Sequence, residues 1–353
     1  MSSQLYDVIV VGGGAIGLGA AYEVAKAAKS VLVLEQSCLF NAAGSSNDLA
    51  RMYRTMYTEP FMAELAYQSM SIWKELERDS GTSLRTTTGL LNFGDLRWGK
   101  TRQKVLIRGT LMGPVANLEN LDMPFRKMTK QDMEREYPFK DLPDTWEGIY
   151  APDNGIINVP LLLRTLSRLA KDYGAHTQQY TEVTKLVPKE ENDEDIWKVE
   201  ARVNGDEVVS FRARKIIIAA GAYTNHILQP SFGIKLKLNI WEVVASYYTV
   251  NAGPNGTHFP SMWFQFANDK NAQYLQGGAK DSVLVFTAGW AMKFVPLLGR
   301  ALKDMVLNGH SDYALEEFKI DRLDPKSKGK DGTPKAGILE IDDDFSNRWE
   351  YVR

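Results

Sequence analysis

The stretch Tyr6-Asp-Val-Ile-Val-Val-Gly-Gly-Gly-Ala-Ile-Gly17 decides the fold. Its first half is apolar and β-branched, which is typical of a buried parallel strand. Its second half fills the pattern G-x-G-x-x-G with Gly12, Gly14 and Gly17. In that pattern the first glycine permits a tight turn, the second lets a pyrophosphate approach the backbone, and the third lets a helix pack closely on the strand. Free N–H groups at the start of that helix would bind the phosphates.

The residues that follow complete a strand–helix–strand unit. Residues 16–28 are rich in alanine and predict a helix, and residues 30–35 predict a second buried strand that ends at Glu35. A carboxylate at that point can bind both ribose hydroxyls of an adenosine, and it disfavours the 2′-phosphate of NADP. The unit therefore predicts an α/β fold that binds an ADP-containing dinucleotide, either FAD or NAD. A glycine-rich turn without a ligand would leave Glu35 unexplained.

The composition is that of a globular protein, and it excludes several kinds of site. The 353 residues include 42 Lys and Arg against 44 Asp and Glu, so a net charge of −2 offers no positive field for nucleic acid. Cys38 is the single cysteine and the four histidines are widely spaced, which excludes a disulfide framework and predicts no metal site. Redox chemistry would then need an organic cofactor.

The sequence shows no targeting signal, so we expect a cytoplasmic protein without a membrane partner. The first apolar run, residues 8–11, is too short for the hydrophobic part of a signal peptide or for a membrane span. The last three residues differ from the tripeptide of peroxisomal import.

Beyond residue 36 the periodicity alternates between helical and strand-like. Helical spacing predicts helices over residues 61–80, 159–173 and 296–308, the first of which ends before Gly81. Short apolar runs predict strands over residues 89–93, 197–201, 214–222 and 282–286, and antiparallel strands are expected at 240–250 and 262–266. Residues 321–353 lack an apolar pattern and predict a loosely attached tail.

Two later features favour FAD over NAD. A strand over residues 216–221, with Ala220 and Gly221 at its end, is a second approach of a strand to a glycine turn, which suits a long cofactor lying across the sheet. Gly289 precedes a helix whose N-terminal dipole would stabilise the negative charge of a reduced flavin.

Five further segments resemble those of a known group of proteins, the amino-acid oxidase superfamily of FAD enzymes. The likeness is strongest to the branch of monomeric sarcosine oxidase, pipecolate and saccharopine oxidase and fructosyl-amino-acid oxidase. It extends in order and approximate spacing from residue 5 to about residue 322. The segments are Gly44-Ser-Ser-Asn-Asp-Leu-Ala-Arg-Met-Tyr-Arg54, Thr88-Gly-Leu-Leu-Asn-Phe-Gly94, Pro152-Asp-Asn-Gly-Ile-Ile157, Ile218-Ala-Ala-Gly-Ala-Tyr-Thr-Asn225 and Gly289-Trp-Ala-Met-Lys-Phe-Val-Pro296.

The resemblance implies a doubly wound, Rossmann-like FAD-binding domain and a smaller, mixed and mainly antiparallel substrate domain. The boundaries expected from it are 1–88, 150–226 and 280–320 for the first domain, 89–149 and 227–279 for the second, and 321–353 for the tail. It also implies a reaction in which a carbon next to an amine gives a hydride to flavin N5. The imine is then hydrolysed, and oxygen is reduced to hydrogen peroxide.

The resemblance also implies roles for individual residues. Arg51 matches an arginine that lies over the flavin, and Arg54 and Lys293 match a basic pair that binds the substrate carboxylate; these three are the expected catalytic residues. A solvated loop is the alternative for the two arginines, whereas Lys293 has apolar neighbours. Besides the residues named above, the expected cofactor contacts are Ala15, Ile16, Ser45, Ser46, Arg51, Val183, Met292 and Lys293.

One stretch of the family pattern is missing between residues 278 and 281, where this chain joins two segments that the family keeps apart. The missing stretch normally supplies substrate-domain strands, a lysine that promotes the reaction with oxygen, and a cysteine bonded to the flavin. We therefore expect FAD to be bound non-covalently. Two alternatives stay open: a flavin-binding but catalytically impaired family member, and an NAD-dependent dehydrogenase.

Overall fold

The structure, a computed structural model, describes residues 4–95, 113–191, 194–233, 235, 258–266 and 291–313. Its helices are α1 (Ala15–Lys26), α2 (Pro60–Ser80), α3 (Val115–Asn120), α4 (Lys130–Glu136), α5 (Val159–Asp172), α6 (Thr224–Phe232) and α7 (Val295–Asn308). Its strands are β1 (Leu5–Val11), β2 (Val31–Leu34), β3 (Ala50–Tyr53), β4 (Arg85–Thr87), β5 (Leu90–Asp95), β6 (Arg126–Thr129), β7 (Trp146–Ala151), β8 (Gly155–Asn158), β9 (His176–Gln178), β10 (Thr181–Glu191), β11 (Glu194–Val203), β12 (Glu207–Ile218) and β13 (Trp263–Phe266).

The first of two compact units comprises residues 1–47, 163–241 and 298–353. Its six-stranded sheet has the order β10-β11-β12-β1-β2-β9. The neighbours from β12 to β9 are parallel, and β10, β11 and β12 form an antiparallel meander. All four residues of β2 and most of β1 are buried, which explains their uninterrupted apolar sequences. Helix α1 is the crossover from β1 to β2, and the turn before it forms at the carboxyl end of β1.

The second unit comprises residues 48–162 and 242–297. It contains a four-stranded sheet in the order β13-β5-β7-β6 and a three-stranded sheet in the order β3-β8-β4. Helix α2 begins with a proline in its first turn, a favoured position for that residue, and is followed by Gly81 in the left-handed conformation with φ 63°. The buried face of α2 bears Leu65, Ser69, Trp73 and Leu76, which recur at helical spacing.

The fold class predicted from the sequence, α/β with a parallel sheet and a second mixed unit, is confirmed. The strand–helix–strand unit over residues 6–35 lies within one or two residues of its predicted bounds, and so do α2, α5 and α7. The compact units divide the chain after residues 47, 162, 241 and 297, whereas the predicted domains divide it after 88, 149, 226 and 279. The assignment of one domain to the cofactor and the other to the substrate stays a prediction.

Two details of the predicted strands were wrong. The strand at 262–266 was expected to be antiparallel, yet β13 pairs with β5 in parallel, with Trp263 opposite Leu91. Alternating side chains indicate a strand but carry no information about the direction of its neighbour. The strand predicted at 214–222 begins earlier, at Glu207, because its first half pairs with β11. The strands predicted at 240–250 and 282–286, and the tail at 321–353, lie outside the described residues.

Candidate functional site

The glycine turn of the first unit forms a tight cradle between β1 and α1. A Cβ atom at Gly17 would lie 1.9 Å from the carbonyl oxygen of Gly12, so only glycine allows the helix to approach the turn this closely. Gly12 has φ 107° and packs against the end of β12, where an added Cβ would meet the oxygen of Ala219 at 2.5 Å. The turn is therefore held on both sides by backbone.

The N-terminus of α1 is open to an anion. Gly14 caps the helix without a side-chain hydrogen bond, and the first turn contains no acidic residue. The N–H of Ala15 donates to Ser46 Oγ at 2.9 Å, which brings the loop residue Ser46 to the helix start. Backbone N–H groups with an unopposed dipole are the usual binding site for phosphate.

Glu35 lies directly beside this cradle. Its side chain is 7% exposed, and its two oxygens accept hydrogen bonds from the N–H of Gly13 at 2.7 Å and of Ser37 at 2.9 Å. The carboxylate thus ties the glycine turn to the loop after β2. Oε1 also accepts from the side-chain amide of Asn41 at 3.5 Å, whereas Oε2 keeps a lone pair for a ribose hydroxyl, so the chemistry fits the adenosine half of a dinucleotide.

The other predicted cofactor contacts of the first unit differ in how far they are exposed. Ala15 and Val183 are buried, Ile16 is half-buried, and Ser45 is exposed. Ala220 and Gly221 follow β12, whose last residue pairs with Val11 at the end of β1, so they belong to the same edge of the sheet as the cradle. Gly289 lies outside the described residues.

The second unit contains a cluster of cations and aromatic rings in which Lys293 and Tyr57 are buried and Arg54 and Phe264 are half-buried. Lys293 is 8% exposed and lies in a short 3₁₀ turn, Met292–Phe294, directly before α7. Its Nζ is 5.6 Å from the ring centre of Tyr57, and the guanidinium carbon of Arg54 is 4.7 Å from the same ring. Arg54 also stacks on Phe264 at 5.2 Å. These residues define what we call the cation pocket; the cavity beside it is lined by Tyr53, Arg54, Ala66, Ser69, Met70, Trp73, Lys293 and Phe294.

The cation pocket is electrostatically suited to an anion. Burial, and secondly the charge of Arg54, lower the pKa of Lys293 to about 7. Burial raises the pKa of Tyr57 to about 12, although Arg54 acts in the opposite direction. Among the residues that the structure describes, no carboxylate forms an ion pair with Arg54. A bound carboxylate would satisfy the guanidinium and relieve the repulsion between the two cations.

The structure thus brings two of the predicted catalytic residues together. Arg51, the third, lies on β3 in the same unit and forms a close ion pair with Asp48. Asp48 has φ 137°, a conformation that favours glycine, so the backbone is strained at this pair. The predicted contacts of Arg51, Met292 and Lys293 with a cofactor stay predictions.

Sequence reasoning missed three buried residues of the second unit. Tyr57 contacts both cations through its ring, Trp73 contacts the backbone of Lys293, and Asn154 hydrogen-bonds to the segment after β3. The helical spacing of α2 placed Trp73 on the buried face, but nothing in the sequence distinguished it from an ordinary core residue.

Two absences apply to the described residues. No helix among them is both long enough and apolar enough to span a bilayer. No group of three or more His, Cys, Asp or Glu side chains in that part of the chain could hold a metal ion.

Comparison with protein families gives a match over most of the chain. The profile of the family described as FAD dependent oxidoreductase (DAO) matches residues 7–305. A Dictyostelium discoideum protein provisionally named a bifunctional amine oxidase is 35% identical over 418 residues, which cover 94% of this chain and 38% of that protein. The peroxisomal sarcosine oxidase of Homo sapiens is 28% identical over 245 residues, which cover 69% of this chain and 57% of that enzyme.

A solved structure shares the fold. The open form of NikD, an amino acid oxidase essential for nikkomycin biosynthesis, superposes with a TM-score of 0.69 at 24% identity. The match covers 96% of this chain and 99% of that one.

The relatives differ from this chain in length. The chain spans 38% of the Dictyostelium protein and 57% of the human enzyme. The Dictyostelium alignment has 418 positions, whereas 94% of 353 residues take part from this chain, so about 85 positions or more are gaps here. The chain is therefore shorter than that relative within the aligned region, as expected of a missing stretch.

Proposed function

Since this chain belongs to the family of FAD-dependent oxidoreductases, we propose that it binds FAD non-covalently and oxidises the C–N bond of a small amino acid or N-alkylamino acid. The observation that carries the proposal is the cation pocket, in which Arg54 and Lys293 meet at the ring of Tyr57 without a described carboxylate on Arg54. Such a pocket requires an anion, and a substrate carboxylate meets the requirement.

In this proposal the first unit binds the cofactor. The N–H groups at the start of α1 bind the pyrophosphate, and Glu35 binds the ribose hydroxyls of the adenosine. When bound, FAD supplies the two-electron acceptor that no side chain provides. The absence of a cysteine other than Cys38 is the reason for expecting non-covalent binding.

The cation pocket binds and orients the substrate. The planar guanidinium of Arg54 can donate two parallel hydrogen bonds to a carboxylate, and its contacts with the rings of Tyr57 and Phe264 restrict its movement. Lys293 supplies a second donor from a water-poor position.

The same positive charge favours the reactive form of the substrate. A hydride can leave the carbon next to the nitrogen only when the amine is neutral. Two cations near an ammonium group lower its pKa and so promote loss of its proton. Arg54 and Lys293 therefore both hold the substrate and help prepare it for oxidation.

The experiment that tests the proposal is the visible spectrum of the purified chain. A flavin spectrum whose chromophore stays in solution after acid precipitation of the protein indicates non-covalent FAD, and no flavin at all would overturn the proposal in favour of an NAD-dependent dehydrogenase. Anaerobic addition of sarcosine, the substrate class named for the human relative, should then bleach the flavin. Admission of oxygen should restore the absorbance and form hydrogen peroxide.

A pair of variants tests the pocket. Arg54→Met should weaken substrate binding by about tenfold or more, because it leaves the carboxylate without its main partner. Arg126→Met is the matched control, since Arg126 lies on β6 in a surface ion pair with Glu136. Equal substrate affinity in both variants would exclude the pocket as the carboxylate site.

A second candidate function is supported by the gaps in the alignment with the Dictyostelium relative. Loss of a stretch that contributes to the substrate side would leave a chain that binds flavin without turning over. A bound flavin that sarcosine, pipecolate and other secondary amino acids all fail to bleach would favour this alternative.

A further inference from the structure

The backbone of Lys293 is held by two side chains of α2. Trp73 Nε1 donates to the carbonyl oxygen of Lys293 at 2.7 Å, and Ser69 Oγ donates to the same oxygen at 3.2 Å. The two donors are four residues apart and so lie on one face of the helix. Both are almost fully buried, at 1% and 2% exposure, so neither bond competes with bulk water.

This carbonyl needs a partner from outside its own segment. Lys293 lies in a 3₁₀ turn, in which a carbonyl accepts from the N–H three residues further along. That residue is Pro296, which has no N–H. A buried carbonyl without a partner is costly, and α2 supplies the donors that the turn cannot.

The indole ring of Trp73 is itself held in place by a neighbouring ion pair. The guanidinium of Arg85 lies 5.1 Å from the ring centre and is paired with Glu77 at 2.8 Å. Glu77 Oε1 also accepts from the backbone N–H groups of Leu84 and Arg85. Because Glu77 is one helical turn after Trp73, the pair and the indole form a single rigid face of α2.

We propose that Ser69 and Trp73 are positioning residues that keep the ammonium of Lys293 inside the cation pocket, and that they thereby set the strength and pH range of carboxylate binding. The inference rests on the proposed carboxylate site and adds to it. A lysine side chain is long enough to move its charge into water when its backbone is released. The two hydrogen bonds to the carbonyl oxygen of Lys293 hold its backbone in place and so prevent the ammonium from moving into water.

The groups around the ammonium define its titration. In the described part of the chain these are Arg54, Tyr53 and Tyr57, whereas α2 presents the uncharged Ala66, Ser69, Met70 and Trp73 to the cavity. Arg85 and Glu77 lie behind the indole. Burial and Arg54 hold the pKa of Lys293 near 7. When a carboxylate binds at or above that pH, Nζ of Lys293 should therefore take up a proton. A Lys293 side chain that has moved into water would have a higher pKa. It would already be protonated and would take up less.

Calorimetric titration of the full chain, as purified with its flavin, tests this inference. The probe is propionate, whose only charged group is a carboxylate. Titrations at pH 6 to 9, each in two buffers that differ in ionisation enthalpy, give both the affinity and the number of protons taken up. A purely structural role would change stability without moving the pH midpoint of proton uptake.

The variants separate the possible outcomes. We expect Ser69→Ala to weaken propionate binding about threefold and Trp73→Phe about tenfold, each with a midpoint of proton uptake above that of the unsubstituted chain. Ser69→Thr keeps a hydroxyl and should restore both values. The matched control is Ile72→Val, which removes a buried methylene from the same helix away from the cavity and should change neither.

Unchanged affinity and midpoint in Ser69→Ala and Trp73→Phe would overturn the inference. If Trp73→Phe does not fold, the comparison of Ser69→Ala with Ser69→Thr decides alone. Lys293→Met tests the underlying site: loss of proton uptake supports it, and unchanged affinity and uptake would overturn the carboxylate site itself and the inference with it.

Discussion

Replacement of Gly17 by alanine is the sharpest perturbation of the cofactor cradle. The new Cβ would lie 1.9 Å from the carbonyl oxygen of Gly12 and 3.1 Å from its carbonyl carbon. Both atoms belong to the backbone, so no side chain can rotate away to make room. Helix α1 would have to move by about 1 Å to bring the closest contact to 3.0 Å, the lower limit of real Cβ contacts.

The cost of this displacement follows from the geometry. Overpacking typically costs about 1–3 kcal/mol, and an overlap with backbone atoms, which cannot rotate away, belongs at the upper end, at ~3 kcal/mol. For a unit of 150–250 residues, a range that includes the first compact unit, each kcal/mol lowers the melting temperature by roughly 2–4 °C, so we expect that unit of Gly17→Ala to melt about 6–12 °C lower. The same shift moves the N–H groups of α1 away from the phosphates, and FAD retention should fall in parallel.

Thermal unfolding and the visible flavin absorbance per chain measure the two effects. Gly44→Ala is the matched control, because no atom lies within 4 Å of a Cβ at Gly44. It should change the free energy of unfolding by less than about 0.5 kcal/mol. A Gly17→Ala protein that melts within about 2 °C of the unsubstituted chain and keeps its flavin would refute the reasoning.

Three further predictions concern buried polar groups. Glu35→Gln should lower the free energy of unfolding by about 1–3 kcal/mol and reduce the flavin retained, because one of the two backbone donors, Gly13 or Ser37, then faces an amide NH₂; denaturant midpoints equal to the original would contradict it. Lys293 has a folded-state pKa of about 7 against an ordinary 10.5, so the unfolded chain holds an extra proton between these values and stability rises with pH in that window. Lys293→Met should therefore gain stability over the original chain at pH 6 and lose part of that advantage by pH 9, as followed by urea unfolding at both pH values; an advantage independent of pH would argue against the buried ammonium. Asn154→Ala should lower stability by about 2 kcal/mol in urea unfolding, since the fully buried amide accepts from the N–H of Thr55 at 2.7 Å and donates to a backbone carbonyl; a loss below about 0.5 kcal/mol would show that water replaces these bonds.

The cofactor cradle was predictable because its signals are local. A β-branched run, three glycines, an alanine-rich helix and a terminal carboxylate follow one another within 30 residues, and each has its own conformational reason. The structure adds the two backbone hydrogen bonds to Glu35, which the sequence did not suggest. They show that this carboxylate also holds the glycine turn in shape.

The cation pocket was predictable only through resemblance. Arg54 and Lys293 are 239 positions apart in the sequence, and nothing in their neighbourhoods predicts that both meet the ring of Tyr57. The role of Trp73 was equally hidden, because an aromatic residue on an apolar helix face is ordinarily core. The parallel pairing of β13 with β5 was also unpredictable, because it depends on contacts between segments that are distant in the sequence.

By itself, the sequence determined the α/β class, the phosphate turn and the preference for an ADP-containing cofactor, because glycine conformation and apolar periodicity act over a few residues. The tertiary structure alone decided which distant side chains share a water-poor environment. That environment sets the pKa of Lys293 near 7 and leaves Arg54 without a described carboxylate. Desolvation and charge proximity depend on three-dimensional packing, so the chemistry of the pocket emerges only when α2, the segment after β3 and the turn before α7 come together.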